Sequence, residues 1–161
     1  MSDQSANKVL PAFRNLLVGF DASDNANRAL DYGIALALAN DAELTIMSVI
    51  PEPSGLVTYA GAAATEVEEE LLEGVTTALA GAVARVPADL SVIKVIEHGR
   101  PGPVLEKYAH EHAIDLVVLG HRGRGALRSL VLGSVTEHLI HAHKVPVLVI
   151  PPDHKPQAPA A

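Results

Sequence analysis

Two short stretches, Leu116-Val117-Val118-Leu119 and Val147-Leu148-Val149-Ile150, contain no polar residue. A strand with one wet face alternates apolar and polar side chains, whereas a strand that is apolar throughout has both faces covered. Helices on both sides of a parallel sheet provide such cover, because parallel strands need long crossovers and a crossover is usually a helix. This feature alone favours alternating strands and helices over a sandwich, a barrel or a helical bundle.

The rest of the chain supplies the alternation. Phe13 to Phe20 predicts a first strand, and Asp24 to Asn40 a helix with Ala26, Leu30, Gly33, Ile34, Ala37 and Leu38 on one face. A second strand, Glu43 to Ile50, stops at Pro51, and the Pro-, Gly- and Ser-containing stretch to Gly61 reads as a loop. A long helix follows from Ala63 to Val86. Val67, Leu71, Val75, Ala78, Leu79, Ala82, Val83 and Val86 form its expected buried stripe. Glu66, Glu68, Glu69, Glu70 and Glu73 near its start suit the helix dipole and read as solvated. Then come a strand at Ser91 to Glu97, a helix at Gly102 to Ala113 and a strand at Asp115 to Gly120. A helix at Ser134 to His143 and a strand at Val145 to Ile150 complete the series. With right-handed crossovers this is an α/β fold, an open doubly wound five-stranded parallel sheet with helices on both faces, Rossmann-like. One domain is expected over residues 13–150, with residues 1–12 flexible and the Pro/Ala-rich tail at 151–161 disordered.

Composition narrows the function. The 161 residues carry a formal charge of −7 and only 3% aromatics, which disfavours nucleic-acid binding through phosphates or base stacking. Cysteine is absent, which removes thiolate metal sites and cysteine nucleophiles. The first residues lack the apolar stretch of a signal peptide, and no run of about 18 apolar residues suggests a membrane span, so cytoplasm is the expected compartment.

Open α/β sheets bind ligands beyond the carboxyl ends of their strands. Of the segments there, the one starting at Gly120 is the most unusual. Gly120 and Gly123 permit sharp turns and close approach of backbone N–H groups to an anion. Ser134 is expected to cap the next helix, with Glu137 completing a capping box, and a helix start is itself an anion site. Arg122, Arg124, Arg128 and Lys144 make the region locally basic in an acidic protein. Together these suggest a phosphate ligand, although glycines after a strand also serve as plain turns. The pattern is neither a Walker A loop nor a dinucleotide fingerprint.

With Gly120, Gly123, Gly133 and Ser134, the chain satisfies G-x2-G-x9-G-[ST]. It carries Asp115 to Gly120 before that motif, and Val145-Pro146-Val147-Leu148-Val149 after it. On these residues, with Val18 to Ser23 and Gly99-Arg100-Pro101, the sequence from Phe13 to Ile150 resembles the universal stress protein family, in its ATP-binding branch. The resemblance implies strand order 3-2-1-4-5 and ATP as the cofactor, with loop glycines and Ser134 at phosphates and ribose. It implies Asp21 near ribose or adenine and Val49 against the base, with Gly19, Phe20, Leu119, Arg122, Val135 and Thr136 lining the same pocket. It also implies a homodimer through the last strand, Val145 to Ile150, an apolar edge that a second copy would cover.

Asp21 could hold ribose or Mg²⁺, or cap the first helix; Ser23 and Asp24 read as caps. No metal site is assigned: His138 and His141 share a helix face, but His143 is rotated away and no His-Glu-x-x-His occurs. His110 and His112 read as solvent or rim residues, and His121 is the one histidine with a candidate functional place. Nor is a catalytic residue assigned, because phosphoryl transfer needs a metal clamp and a placed base, and Asp21 is the single candidate carboxylate. The leading expectation is a regulatory ATP-binding protein of the stress response, with an unidentified protein partner. Against it stand a nucleotide-independent interaction protein and an enzyme. The enzyme would be an adenylating relative, or a slow ATPase or autophosphorylating protein with Ser134 or Ser129 as acceptor.

Overall fold

The computed structural model describes residues 13–52, 62–122 and 132–152. Five strands, β1 (Asn15–Gly19), β2 (Glu43–Ile50), β3 (Val92–His98), β4 (Leu116–Gly120) and β5 (Val147–Ile150), alternate with four helices. These are α1 (Asp24–Asn40), α2 (Ala62–Val83), α3 (Pro101–Glu111) and α4 (Ser134–Ala142). All pairings are parallel and the order is β3-β2-β1-β4-β5. The fold is therefore the expected open α/β sheet, with the order reversing between β1 and β4.

Alternation along the central strands divides the core in two. Leu16 and Val18 of β1, Leu44 and Ile46 of β2 and Val118 of β4 face α1 and α2, where they meet Ala29, Leu30, Leu79 and Ala82. Leu17, Met47, Val117 and Leu119 point the other way, onto Leu105 and Ala109 of α3 and Leu139 of α4. Leu116 to Leu119 is buried on both faces, as a continuous apolar run requires. At the amino edge, Asp115 Oδ2 accepts the backbone N–H groups of Arg14 (2.7 Å) and Asn15 (2.9 Å), tying the start of β1 to that of β4.

Several expectations need correction, among them the ends of α2, at Val83 rather than Val86, and of α3, at Glu111 rather than Ala113. β5 begins at Val147 rather than Val145, and Val147, Leu148 and Val149 are only half-buried, because an edge strand has a neighbour on one side alone. The apolar stripe of α2 is buried only in its second half: Leu79 and Ala82 are packed away, while Val67 is 61% and Leu71 40% exposed. A crossover helix starts beyond the carboxyl ends of the strands, so its first turns overhang the sheet end. Finally, Ser134 is not the cap of α4. Gly133 takes that place (φ −66°, ψ 148°) and, having no side chain, makes no side-chain cap hydrogen bond. The expected loop at Pro51 to Gly61 falls largely outside the described residues, as do residues 1–12 and most of the tail.

Candidate functional site

Each strand delivers its last residues to the carboxyl end of the sheet, and the switch between β1 and β4 leaves a gap there. Phe20 donates its N–H to the Met47 carbonyl at 2.8 Å, extending the β1–β2 ladder by one bond. The chain then turns away from the sheet through Ala22, held at φ 63°. Asp21 Oδ1 accepts from Ser23 N–H (3.0 Å), and Ser23 Oγ accepts from Ala26 N–H (3.1 Å) as the N-cap of α1. Asp21 thus shapes the turn while facing the gap, and the capping role expected of Ser23 is observed.

On the β4 side, His121 donates its N–H to the Ile150 carbonyl (2.9 Å) and accepts from Gly133 N–H (3.1 Å). The loop between them is therefore closed at its base. Directly after Gly133, α4 begins, and its first i to i−4 bond runs from Glu137 N–H to the Gly133 carbonyl. The N–H groups of Ser134, Val135 and Thr136 precede that bond and have no intrahelical acceptor. Glu137 makes no capping box; its backbone serves the helix and its side chain is exposed.

A cavity of about 710 Å³ occupies the gap. Gly19, Phe20, Asp21, Val49, Leu119, Gly120, Arg122, Gly133, Ser134, Val135 and Thr136 all line it. Of the site residues expected from sequence, Gly123 alone is missing, and it lies outside the described residues with Arg124, Arg128 and Ser129. Other walls were not foreseen: Met47 and Ser48 of β2, Pro101 and Leu105 of α3, and Leu71, Gly74, Val75 and Ala78 of α2. The exposure of Leu71 is a signal for the part α2 plays, since Leu71 and Val75 line the cavity rather than packing on the sheet. Ser48 offers no such signal. Its hydroxyl is buried and donates to the Phe20 carbonyl at 2.7 Å.

Two glycines have packing duties beside any ligand. A Cβ on Gly120 would lie 2.6 Å from the backbone carbon and oxygen of Asn25, so α1 can approach β4 only over a glycine. On Gly19 its one close approach would be to the tip of the Leu119 side chain, at 2.5 Å, with Leu105 Cδ1 at an ordinary contact distance of 3.4 Å.

The local positive charge is smaller than the sequence suggests. Lys144 Nζ bonds Glu106 Oε1 at 2.6 Å, and His138 Nε2 lies 2.7 Å from Glu106 Oε2. Lys144 is therefore committed to α3 and does not line the cavity. Its ammonium, and next the His138 ring, hold the Glu106 carboxyl below its ordinary value. His121 is not among the cavity-lining residues either. His112 stacks on Tyr108 with ring centroids 3.8 Å apart. Among the described residues no three His, Asp or Glu groups converge to hold a metal ion, and no helix is long and apolar enough to cross a membrane.

Comparison with known proteins gives one consistent answer. The sequence model of the universal stress protein family matches residues 12–151. A Staphylococcus aureus (strain USA300) protein named as a universal stress protein is 32% identical over 157 residues, covering 90% of this chain and 91% of that one. The solved structure of the hypothetical protein MJ0577 superposes with a TM-score of 0.78 at 24% identity, covering 90% of this chain and 100% of the other, a likeness of fold. A universal stress protein solved in complex with cAMP gives a TM-score of 0.66 at 26% identity, over 89% of this chain and 100% of its own.

Proposed function

The chain belongs to the universal stress protein family, and from that premise we propose that it is a regulatory ATP-binding protein whose nucleotide occupies the cavity at the β1/β4 switch. The observation that carries this reading is convergence: residues from β1, β2, β4 and α4, far apart in sequence, line one cavity at the sheet's carboxyl end. That is where open α/β sheets bind ligands.

The chemistry of the walls favours an adenine nucleotide. In a parallel strand alternate residues direct N–H and C=O to the same neighbour. Met47 turns its carbonyl to β1, so Val49 turns its own backbone donor and acceptor the same way, beyond the end of β1 at Gly19. The Phe20 carbonyl is already held by Ser48. A donor beside an acceptor matches N1 and the N6 amino group of adenine; guanine presents the opposite order. Phosphates are then directed to the first turn of α4, where N–H groups without an intrahelical acceptor and the helix dipole favour an anion. Arg122 lines the same cavity, and Gly123 belongs to the phosphate loop by its place in the glycine motif. Asp21, on the wall of the same cavity, would meet ribose or Mg²⁺. No catalytic residue is assigned, and ATP here acts as a ligand that alters partner choice. A second copy pairing along Val145 to Ile150 would cover the half-buried β5 edge. The cytoplasm fits a protein that senses ATP.

Release of nucleotide on denaturing the purified protein tests the reading. Adenine nucleotide at near one equivalent, absent from Gly123→Val, is the expected result. A protein free of nucleotide that also ignores millimolar ATP would favour a nucleotide-independent interaction protein.

A further inference from the structure

Nothing in the phosphate-binding role proposed for α4 fixes the direction in which its first turn points, yet the structure contains a device that does. Helix α4 has nine residues, so its whole length is only about 13 Å. Its main helical neighbour is α3. At that contact Gly102 and Glu106 lie one turn apart on the same face of α3, and His138 sits in the socket they form. A Cβ on Gly102 would be 2.8 Å from His138 Cγ, so the glycine makes room for the ring. Glu106 Oε2 then holds Nε2 at 2.7 Å, and Oε1 holds Lys144 Nζ at 2.6 Å, just past the left-handed exit of α4 at His143 (φ 52°). One carboxylate, 19% exposed, thus grips α4 in its middle and just past its end.

We propose that Glu106, acting through His138 and Lys144, is the positioning residue that aims the N–H groups of Ser134, Val135 and Thr136 at the nucleotide's phosphates. This rests on the nucleotide reading above. His138 lies one helical turn from Ser134, so a small rotation of α4 about its α3 contact swings the first-turn N–H vectors. Hydrogen bonds weaken steeply with misalignment, whereas the adenine end of the cavity is built by β1 and β2, which α4 does not carry. The signature is therefore selective: losing Glu106 should weaken ATP and leave adenosine alone.

The test titrates ATP and adenosine into wild type, Glu106→Ala, Glu106→Gln and His138→Ala, with circular dichroism to establish folding. Glu106→Ala and His138→Ala should each lose ATP affinity about tenfold, the equivalent of one charge-assisted hydrogen bond, with adenosine affinity unchanged. Glu106→Gln keeps an acceptor for Lys144 and a donor for the His138 ring, and should recover part of the loss. If Glu106→Ala does not fold, the other two variants decide. A wild-type ratio of ATP to adenosine affinity in the folded variants, or equal loss of both ligands, would overturn the role of Glu106. A wild type that binds no ATP would instead refute the nucleotide reading, and the first titration separates the two failures.

Discussion

Gly120 stands both in the glycine motif and under helix α1, and a single methyl group separates those duties. In Gly120→Ala the new Cβ would lie 2.6 Å from Asn25 carbon and oxygen and 2.7 Å from Asn25 Cβ. The obstruction is mostly backbone in the first turn of α1, so relief requires moving a helix that packs on β1, β2, β4 and β5. Overpacking of this kind costs about 1–3 kcal/mol, and for a domain of this size that lowers Tm by roughly 2–12 °C. Gly19→Ala is the control. Its nearest obstruction, also close at 2.5 Å, is the tip of Leu119, which can rotate, so its cost should be the smaller. Thermal and urea unfolding of the ligand-free proteins measures both. Equal stability of Gly120→Ala and wild type, or a greater loss in Gly19→Ala, would refute the packing argument.

Gly74→Ala places a methyl in open space within α2, and should gain about 0.8–1 kcal/mol from helix propensity, read as a rise in Tm. Asp115→Ala removes the acceptor for two backbone donors at the start of β1, and should lose about 2 kcal/mol in urea unfolding. Glu106 is held below its ordinary value of 4.5 in the folded state, chiefly by Lys144 and then by His138. Its stabilisation is therefore present above that ordinary value and disappears as pH falls through the lowered one. The gap in urea midpoint between wild type and Glu106→Gln should accordingly close on acidification; a gap that widened would contradict the assignment.

What could be read from the sequence followed from local periodicity and from the motif. The apolar run at Leu116 to Leu119 implies two covered faces because only burial tolerates such a run; periodicity along the rest of the chain supplies the alternation of strands and helices, and the family resemblance the strand order. The resemblance to the family supplied Val49 and Asp21, which are distant in sequence but share a cavity wall. What escaped depends on where elements end in space. The stripe of α2 looks uniform, yet half of it overhangs the sheet, since periodicity reports a helix face without saying what lies opposite. Lys144 adds positive charge near the loop in sequence, but Glu106, 38 residues earlier, holds it in the fold. Gly133 takes the cap place expected of Ser134: its backbone is extended and its carbonyl accepts the first intrahelical bond, from Glu137 N–H.

The most direct test of the central claim is a calorimetric titration of ATP, with GTP as comparator, into nucleotide-free protein. One ATP per chain in the micromolar range, with GTP much weaker, is the result expected from the Val49 backbone edge and the open first turn of α4. No heat at millimolar ATP from protein that remains folded, or equal affinity for GTP, would contradict it.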